Sequence, residues 1–432
     1  MKVLKHIGLC DGEISQYNLK EMLPGETENE VVNVHDLPRH EIFGFGGAFT
    51  EAAGYTYAQM SDELKKKALE ILFGKDHLHY TFCRLCIGSS DFGLGEFSEV
   101  ADGDETLEGF NIDRDKKYVI PFVKDALAYT NGGLTLFASP WSPPAFMKDT
   151  NQLKAGGKLL KKYYGLYAQY FVKFIEAYEA EGIHISAVTM QNEAHAVQTW
   201  ESCVFDGNDE AEFCETLYDA FEKAGLKVGI FCWDHNKERL YERASEVFTK
   251  AQEKIAGISF HWYSGEHYDE IRLVRELFPD KAIIEGEFCR GLSSSGYMRY
   301  RDDMLENLAA GANALVDWNL ILDENGGPFH NRPLGCKGEL CYDTVKKELR
   351  THDFHKDMFM FSHYIEPGAK VLASSSFSPF IKVLGVKNPD GKVLVYLNNR
   401  GLSRISTVLR FENYEYPVTV ENNAIALLII EP

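Results

Sequence analysis

The sequence has no apolar run of the roughly 18 residues that a membrane-spanning helix requires. Its first residues, Met1 to Gly8, also lack the apolar core and the small-residue cleavage site of a secretory signal. We therefore expect no insertion into a membrane and a cytoplasmic location. The alternative is secretion, for a mature chain from which a leader has been removed.

Basic residues are scarce relative to acidic ones. The chain has 45 Lys and Arg against 65 Asp and Glu, for a formal net charge of -20. A surface this acidic repels phosphate backbones and anionic membranes. We therefore expect no nucleic-acid partner, and neutral or cationic substrates fit the charge better. The sequence gives no indication of an oligomeric state.

The cysteines do not form the pattern of a disulfide framework. Nine of them, an odd number, are scattered through apolar runs, which is typical of buried, reduced thiols. Cys83 and Cys86 have the C-x-x-C spacing of a redox or zinc motif. They lie in a strand-like run, however, where residues three apart point to opposite faces, so the spacing alone does not indicate a metal site.

Eight strand-like runs recur in the first three quarters of the chain, with helical patterns between most of them. Strands that alternate with helices are typical of parallel βαβ units, and eight such units predict a closed (β/α)8 barrel, also called a TIM barrel. We place the catalytic barrel at residues 39–356. The eight runs are Glu41 to Phe49, Thr81 to Ser89, Leu134 to Pro140, Ile185 to Glu193, Lys227 to His235, Gly257 to Tyr263, Ala282 to Phe288 and Ala314 to Leu320.

The remainder of the chain has a different character. Three strand-like runs follow residue 356, namely Phe380 to Val386, Lys392 to Asn398 and Ala424 to Ile430, and a turn sequence joins the first two. The residues before the first barrel strand are too few for a domain of their own. We therefore predict an antiparallel β-sandwich side domain made of residues 1–38 and 357–432, to which the N-terminus adds one or two strands.

Two of the barrel strands end in carboxylates. Gln191, Asn192 and Glu193 follow one apolar run, and Glu287 lies near the end of another. A charge at the end of a buried strand is expensive to desolvate, so one that is present is usually paired or functional. The active site of a barrel lies at these strand ends, and two carboxylates are the minimum required to split a glycosidic bond.

The two carboxylates need different protonation states. One must be ionised to act as a nucleophile or base, whereas the other must hold a proton near neutral pH. The charge of Glu287 would raise the pKa of Glu193, which assigns the acid role to Glu193. Asn192 is placed to bind a sugar 2-hydroxyl. Other polar and aromatic residues at strand ends are candidates for the walls of the substrate site: Trp141, Trp233, His261, Tyr263 and Trp318.

Five ordered motifs resemble glycoside hydrolase family 30, the glucosylceramidase-like family. They are the segments 43–53 (FGFGGAFTEAA) and 138–144 (ASPWSPP), Gln191 to Glu193, His261 to Tyr263, and Asp317 to Leu320. The resemblance implies a (β/α)8 barrel with a β side domain and a retaining mechanism that needs no cofactor and no metal. It also implies that Glu193 is the acid/base and Glu287 the nucleophile. Residues that would line the glycone subsite are Glu51, Trp141, Asn192, Tyr263 and Trp318.

The resemblance implies a β-glucosidase similar to glucosylceramidase, an enzyme of sphingolipid metabolism. The substrate would be a small β-glycoside or a short oligosaccharide. The alternatives within the family are a β-1,6-glucanase and a β-xylosidase. The exact glycone, the linkage, and the choice between trimming ends and cutting internally stay open.

Three further alternatives remain at this point. Glu285, two residues before Glu287, is a rival nucleophile, because both would face the barrel axis in a regular strand. Asp234, His235 and His261 could serve a metal-dependent hydrolase, although they lack the close ligand pairs that such sites use. A non-catalytic sugar-binding protein would keep the aromatic residues but would not need both Glu193 and Glu287.

Overall fold

Twenty strands are present in the computed structural model, which describes residues 4–10, 12–19, 30–291 and 299–432. They are β1 (Leu4–Cys10), β2 (Glu13–Leu19), β3 (Val31–Glu41), β4 (Gly44–Phe49), β5 (Phe82–Ile87), β6 (Thr135–Pro140), β7 (Ala187–Thr189), β8 (Gly229–Asn236), β9 (Gly257–His261), β10 (Ala282–Phe288), β11 (Ala314–Asn319), β12 (Ile321–Asp323), β13 (Leu340–Asp343), β14 (Glu348–Thr351), β15 (Lys370–Ser376), β16 (Ile381–Lys387), β17 (Val393–Asn399), β18 (Ile405–Phe411), β19 (Tyr414–Val420) and β20 (Ala424–Ile430).

Helices separate the strands of the first three quarters of the chain. The described α-helices are α1 (Glu51–Ala58), α2 (Asp62–Phe73), α3 (Asp115–Tyr129), α4 (Tyr164–Ala180), α5 (Gly207–Ala224), α6 (Leu240–Ala251), α7 (Tyr268–Leu277), α8 (Tyr300–Ala310) and α9 (His355–Ser362). Short 3₁₀ helices lie at Ala145–Met147, Lys161–Tyr163, Lys237–Arg239 and Gln252–Lys254.

The chain folds as two compact units. One consists of Phe45–Gly296 and Leu315–His352, and the other of Met1–Gly44, Tyr297–Ala314 and Asp353–Pro432. The domain boundaries at residues 38 and 356 stay a prediction.

A closed barrel of eight strands, in the order β10-β11-β4-β5-β6-β7-β8-β9, confirms the predicted TIM barrel. The pairs from β4 round to β10 are parallel. All six residues of β4 and all six of β11 are buried. Such near-continuous apolar strands are typical of parallel sheets that are covered on both faces, and their carboxyl ends meet at one end of the barrel.

Both ends of α5 carry the residues that typically begin and end a helix. The Asp206 side chain caps the N-terminus of α5 by accepting hydrogen bonds from the backbone amides of Asn208 at 3.1 Å and Asp209 at 2.9 Å. Gly225 ends the same helix in the left-handed conformation, with φ 71°, which glycine adopts without steric cost. Three apolar residues of the helix face are buried: Phe213, Leu217 and Phe221.

The second unit contains a nine-stranded sheet in the order β19-β18-β3-β15-β16-β17-β20-β1-β2. This sheet confirms the predicted side domain. The edge strand β19 contacts β17, β20 and β2, so the sheet is curled. The apolar core on its inner face includes Val393, Val395 and Leu397. Two details of the prediction are wrong. The N-terminal region adds three strands rather than one or two. β3 pairs with β18 in parallel, which the long connection between them permits.

Gly46 provides a test of the barrel packing. A Cβ at Gly46 would lie 1.8 Å from the carbonyl oxygen of Phe82 on the neighbouring strand β5. Gly46→Ala should therefore lower the free energy of unfolding by about 3 kcal/mol, because a backbone atom cannot move aside cheaply. The measurement is urea unfolding followed by circular dichroism.

The matched control is Gly165→Ala in α4, where an added Cβ meets no atom within 4 Å. This change should leave the free energy of unfolding unaltered or raise it by about 0.5 to 1 kcal/mol, because alanine favours the helix. Equal effects of the two substitutions would contradict the tight packing between β4 and β5.

Candidate active site

A cavity of about 540 Å³ brings the two predicted catalytic carboxylates together. Glu193 follows β7 and Glu287 lies in β10, and both side chains line the cavity. The lining residues are Asp91, Trp141, Asn192, Glu193, Gln198, Trp200, His235, Asn236, Tyr263, Glu287, Trp318, Arg332, Pro333, Leu334 and Cys336. Volumes of this size are usual for the binding site of a small molecule.

The guanidinium group of Arg84, which is 0% exposed, lies beneath the cavity and contacts four barrel strands or the segments that follow them. Its Nη1 donates to Glu287 Oε2 at 2.9 Å, and its Nη2 donates to Asp234 Oδ2 at 2.7 Å and to Asn192 Oδ1 at 2.8 Å. Its Nε donates to Ser139 Oγ at 3.1 Å. A buried cation is tolerated only when it is paired and hydrogen-bonded, as it is here.

Glu287 is held at both carboxylate oxygens. Arg84 binds Oε2, and the Tyr263 hydroxyl donates to Oε1 at 2.8 Å. The ion pair with Arg84 and the hydrogen bond from Tyr263 fix this carboxylate in one orientation. A fixed carboxylate oxygen that faces a cavity has the geometry required of a nucleophile.

The imidazole of His261 lies between the two carboxylates. Its Nδ1 is 4.0 Å from Glu193 Oε1 and 3.9 Å from Glu287 Oε1. These two distances limit the separation of the two Oε1 atoms to about 8 Å, which is compatible with the spacing of about 5 to 5.5 Å in retaining glycosidases and with the shorter spacings of inverting ones. The Nε2 of His261 lies 3.1 Å from Asp234 Oδ1, and Glu287 and Asp234 outweigh burial and raise the pKa of His261.

Glu193 is in a different electrostatic environment from Glu287. Burial raises the pKa of Glu193 to about 7; His261 opposes this rise and the charge of Glu287 adds to it. The amide of Gln198 also hydrogen-bonds the Glu193 carboxyl group. Glu193 therefore holds a proton near neutral pH, which a general acid requires.

The backbone is strained around Glu193. Its φ is 50°, and Trp233 and Asp234 on β8 have φ values of 70° and 47°, a region that residues other than glycine rarely occupy. The Glu193 amide donates to the Asp234 carbonyl at 2.7 Å, so the strained segments hold each other in place. Such strain persists where the surrounding structure enforces it and is common at active sites.

A bulge in β10 separates the two rival nucleophiles. Glu285 pairs with Phe260 of β9 and Glu287 pairs with the next residue, His261, so Gly286 is the extra residue. A Cβ at Gly286 would lie 2.3 Å from Ser259 Oγ, and only glycine fits this approach. The bulge breaks the regular alternation of the strand. Glu287 lines the cavity, whereas Glu285 is fully buried and does not.

The structure brings most of the predicted substrate-binding residues to the cavity. Trp141, Asn192, Tyr263 and Trp318 line it, and the rings of Trp141 and Trp318 stack with centroids 4.9 Å apart. His261 is fully buried and does not line the cavity, although its imidazole lies close to both carboxylates. Trp233 is buried, and its ring packs against the Arg243 guanidinium at 4.6 Å.

Glu51 does not line the cavity. Its carboxylate accepts hydrogen bonds from Arg114 Nε at 2.7 Å, from Arg114 Nη2 at 2.9 Å and from the Leu94 amide at 2.7 Å. The position of Glu51 in the first turn of α1 suits an acidic side chain. Its role as a substrate ligand stays a prediction.

Asp91 is a cavity residue to which the sequence assigned no role. It follows β5, is 6% exposed, and its Oδ1 has no hydrogen-bond partner among the residues that the structure describes. Burial, and then the charges of Glu287 and Glu201, raise the pKa of Asp91 well above its ordinary range. A buried carboxyl oxygen with an unused acceptor is suited to bind a substrate hydroxyl. The sequence feature that could have identified Asp91 as a site residue is its position after a barrel strand.

Two further observations concern metals and membranes. Within residues 4–10, 12–19, 30–291 and 299–432, His, Cys, Asp and Glu side chains form no group of three or more that could hold a metal ion. The helices in those same ranges include none with the length and apolar character to cross a bilayer.

The fold and the cavity define a barrel enzyme with two carboxylates at its strand ends, and comparison with known proteins agrees. The family model for the glycosyl hydrolase family 30 TIM-barrel domain matches residues 42–365. The chain therefore belongs to glycosyl hydrolase family 30, and it is a glycoside hydrolase. The resemblance seen in the five sequence motifs is confirmed.

Relatives of this chain include two named enzymes and one solved structure. Lysosomal acid glucosylceramidase of Mus musculus is 26% identical and aligns with 83% of this chain and 75% of its own length. Endo-1,6-beta-D-glucanase of Neurospora crassa is 24% identical over 87% of this chain and 83% of its own. The crystal structure of SrfJ from Salmonella typhimurium is 31% identical, with a TM-score of 0.93, and covers 99% of both chains.

Mutation can show which of Asp91 and Glu51 binds the substrate. Asp91→Ala should lower kcat/KM for a β-glycoside by roughly 2 to 4 kcal/mol in transition-state free energy, because a substrate hydroxyl loses a buried acceptor. Glu51→Gln should change kcat/KM by less than about 1 kcal/mol, since it weakens a pair outside the cavity. Steady-state kinetics of both variants provides the test. A larger loss for Glu51→Gln than for Asp91→Ala would place Glu51 in the substrate site.

Proposed function

We propose that this protein is a retaining β-glucosidase, similar to glucosylceramidase, that works by double displacement through a glycosyl-enzyme. The observation that carries the proposal is the contrast between two carboxyl groups on either side of one imidazole. Glu287 is ion-paired with Arg84, whereas burial raises the pKa of Glu193 to about 7. The reaction needs one carboxylate fixed in place as a nucleophile and one carboxyl group that carries a proton near neutral pH.

In the first step of the proposed mechanism, Glu287 attacks the anomeric carbon. Glu193 donates its proton to the leaving oxygen, and an ester bond between Glu287 and the sugar replaces the glycosidic bond. Arg84 and Tyr263 keep the Glu287 carboxylate in position, so little reorganisation is needed. Asn192, whose Oδ1 is bound by Arg84, can offer its amide to the 2-hydroxyl.

In the second step, water attacks the glycosyl-enzyme and Glu193 acts as a base. Formation of the ester removes the charge of Glu287, which is one cause of the raised pKa of Glu193. That pKa therefore falls after the first step. The same side chain is an acid when a leaving group must be protonated and a base when water must be deprotonated.

Hydrolysis of aryl β-glycosides tests the activity directly. A panel of glucoside, xyloside, galactoside, fucoside and glucuronide should show the highest kcat/KM for the glucoside. Proton NMR of the first product should show the β-anomer. A first-formed α-anomer would exclude the retaining mechanism, and a preference for the xyloside would favour the β-xylosidase alternative.

The pH dependence follows from the pKa of Glu193. Because the protonated form is active in the first step, kcat/KM for a substrate with a poor leaving group should fall about tenfold per pH unit above roughly pH 7. A dinitrophenyl β-glucoside needs little protonation, so its decline should be much weaker. The measurement is kcat/KM over about pH 5 to 9 for both substrates. Identical profiles would contradict the acid role of Glu193.

Azide rescue can distinguish the catalytic roles of Glu193, Glu287 and Glu285. Glu193→Ala should still form the glycosyl-enzyme from a dinitrophenyl β-glucoside, and azide should speed its turnover to a β-glucosyl azide. Glu287→Ala should be inactive on every substrate, and azide should give the α-configured product there. Glu285→Ala should mainly lower stability. Rescue of Glu285→Ala with inversion, together with an active Glu287→Ala, would assign the nucleophile to Glu285.

A further inference from the structure

Arg332 is the one Lys or Arg side chain in the lining of the catalytic cavity among the residues that the structure describes. Within that described part of the chain, its guanidinium makes no ion pair; it lies over the Trp200 ring, 5.9 Å from the ring centroid. Because this Arg side chain is exposed and lines the cavity, its guanidinium donors are accessible to a ligand.

Trp200 and Arg332 lie in one wall of the cavity, and contacts between their chain neighbours link the two segments that form this wall. His330 Nε2 lies 3.3 Å from Glu201 Oε2, and the Asn331 amide donates to the Thr199 carbonyl. Glu201 is 2% exposed. Residues 199–201 and 330–332 are therefore linked pair by pair. These contacts fix the backbone on either side of Trp200 and Arg332, which lowers the entropy cost of binding.

This wall belongs to the leaving-group side of the site. Trp200 is in the segment that follows Glu193, and the Gln198 amide in the same segment hydrogen-bonds the Glu193 carboxyl group. Glu193 is proposed to protonate the leaving oxygen. The group attached to that oxygen must therefore lie next to the residues around Glu193.

The chemistry of the wall restricts what the leaving group can be. A lipid chain offers no hydrogen-bond acceptor to the exposed Arg332 guanidinium, so it gains nothing from this cation. An anionic group would pair with Arg332, but the net charge of -20 opposes its approach. A sugar ring has an apolar face for the Trp200 ring and neutral hydroxyl acceptors for the guanidinium.

We propose that Trp200 and Arg332 form a subsite for a sugar ring on the leaving-group side of the scissile bond. The substrates are then β-linked glucosyl oligosaccharides rather than glucosides of lipid alcohols. This inference rests on the proposed β-glucosidase function and narrows it to a substrate class.

The test compares two substrates that release similar alcohols. Gentiobiose, in which two glucose units are joined β-1,6, and hexyl β-glucoside both lose a primary alcohol, so the demand on Glu193 is alike. The enzyme should have a higher kcat/KM for gentiobiose. Trp200→Ala and Arg332→Gln should each lower kcat/KM for gentiobiose by about 10-fold and for hexyl β-glucoside by less than about 3-fold.

Lys337→Gln is the matched control, because it removes a positive charge from the same segment at an exposed residue outside the cavity lining. It should leave the ratio of the two kcat/KM values unchanged. A higher kcat/KM for hexyl β-glucoside, or equal losses on both substrates in Trp200→Ala and Arg332→Gln, would overturn the proposal.

A binding measurement separates this inference from the proposed function. In Glu287→Gln, which should not turn over, calorimetry should show tighter binding of gentiobiose than of methyl β-glucoside, and Trp200→Ala should remove the difference. No difference in the Glu287→Gln protein would reject the subsite. If the wild type fails to hydrolyse aryl β-glucosides while this difference is present, the β-glucosidase proposal fails and the sugar subsite stands.

Discussion

The buried guanidinium of Arg84 is the interaction on which the arrangement of the site depends. It joins Asp234 and Glu287 through ion pairs at 2.7 and 2.9 Å and also fixes Asn192 and Ser139. Arg and carboxylate groups match each other in geometry, and several fixed hydrogen bonds leave the group little freedom. Four points around the barrel are thereby set relative to one another by one side chain.

The same network determines the charges of the site. Burial alone would raise the pKa of Asp234, but Arg84 and then His261 lower it far below its ordinary range. Asp234 therefore stays ionised and holds His261, which lies between Glu193 and Glu287. The difference between the two carboxylates comes from this layer beneath the cavity as well as from their own exposure.

Sequence patterns predicted the barrel and the two carboxylates because these depend on short-range rules. Apolar runs at regular intervals indicate parallel strands, and a polar residue after such a run lies at the end of the barrel where strand ends meet. Val393, Val395 and Leu397 likewise show the alternation of a strand in the side domain. Each of these patterns involves residues that are close together in the chain, so none requires knowledge of distant contacts.

Other features depended on contacts that a linear pattern does not contain. The bulge at Gly286, which separates Glu285 from Glu287, brings that residue close to Ser259 and Asp234 on other strands. Glu51 matched a motif, yet its carboxylate is bound by Arg114, far along the chain. Trp200 and Arg332 lie in two irregular segments, which carry no periodic pattern from which their contact could be predicted. The pairing of side-domain strands that are far apart in the chain could not be predicted from the sequence either.

The left-handed backbone at Glu193 has a consequence for evolution. A glycine there would relieve the conformational cost and remove a partly buried acid, so loss of the acid should make the folded chain more stable. Selection for folding alone would then favour substitutions that abolish the carboxyl group. A lineage released from the need to cleave its substrate should therefore lose this residue early and keep its barrel intact.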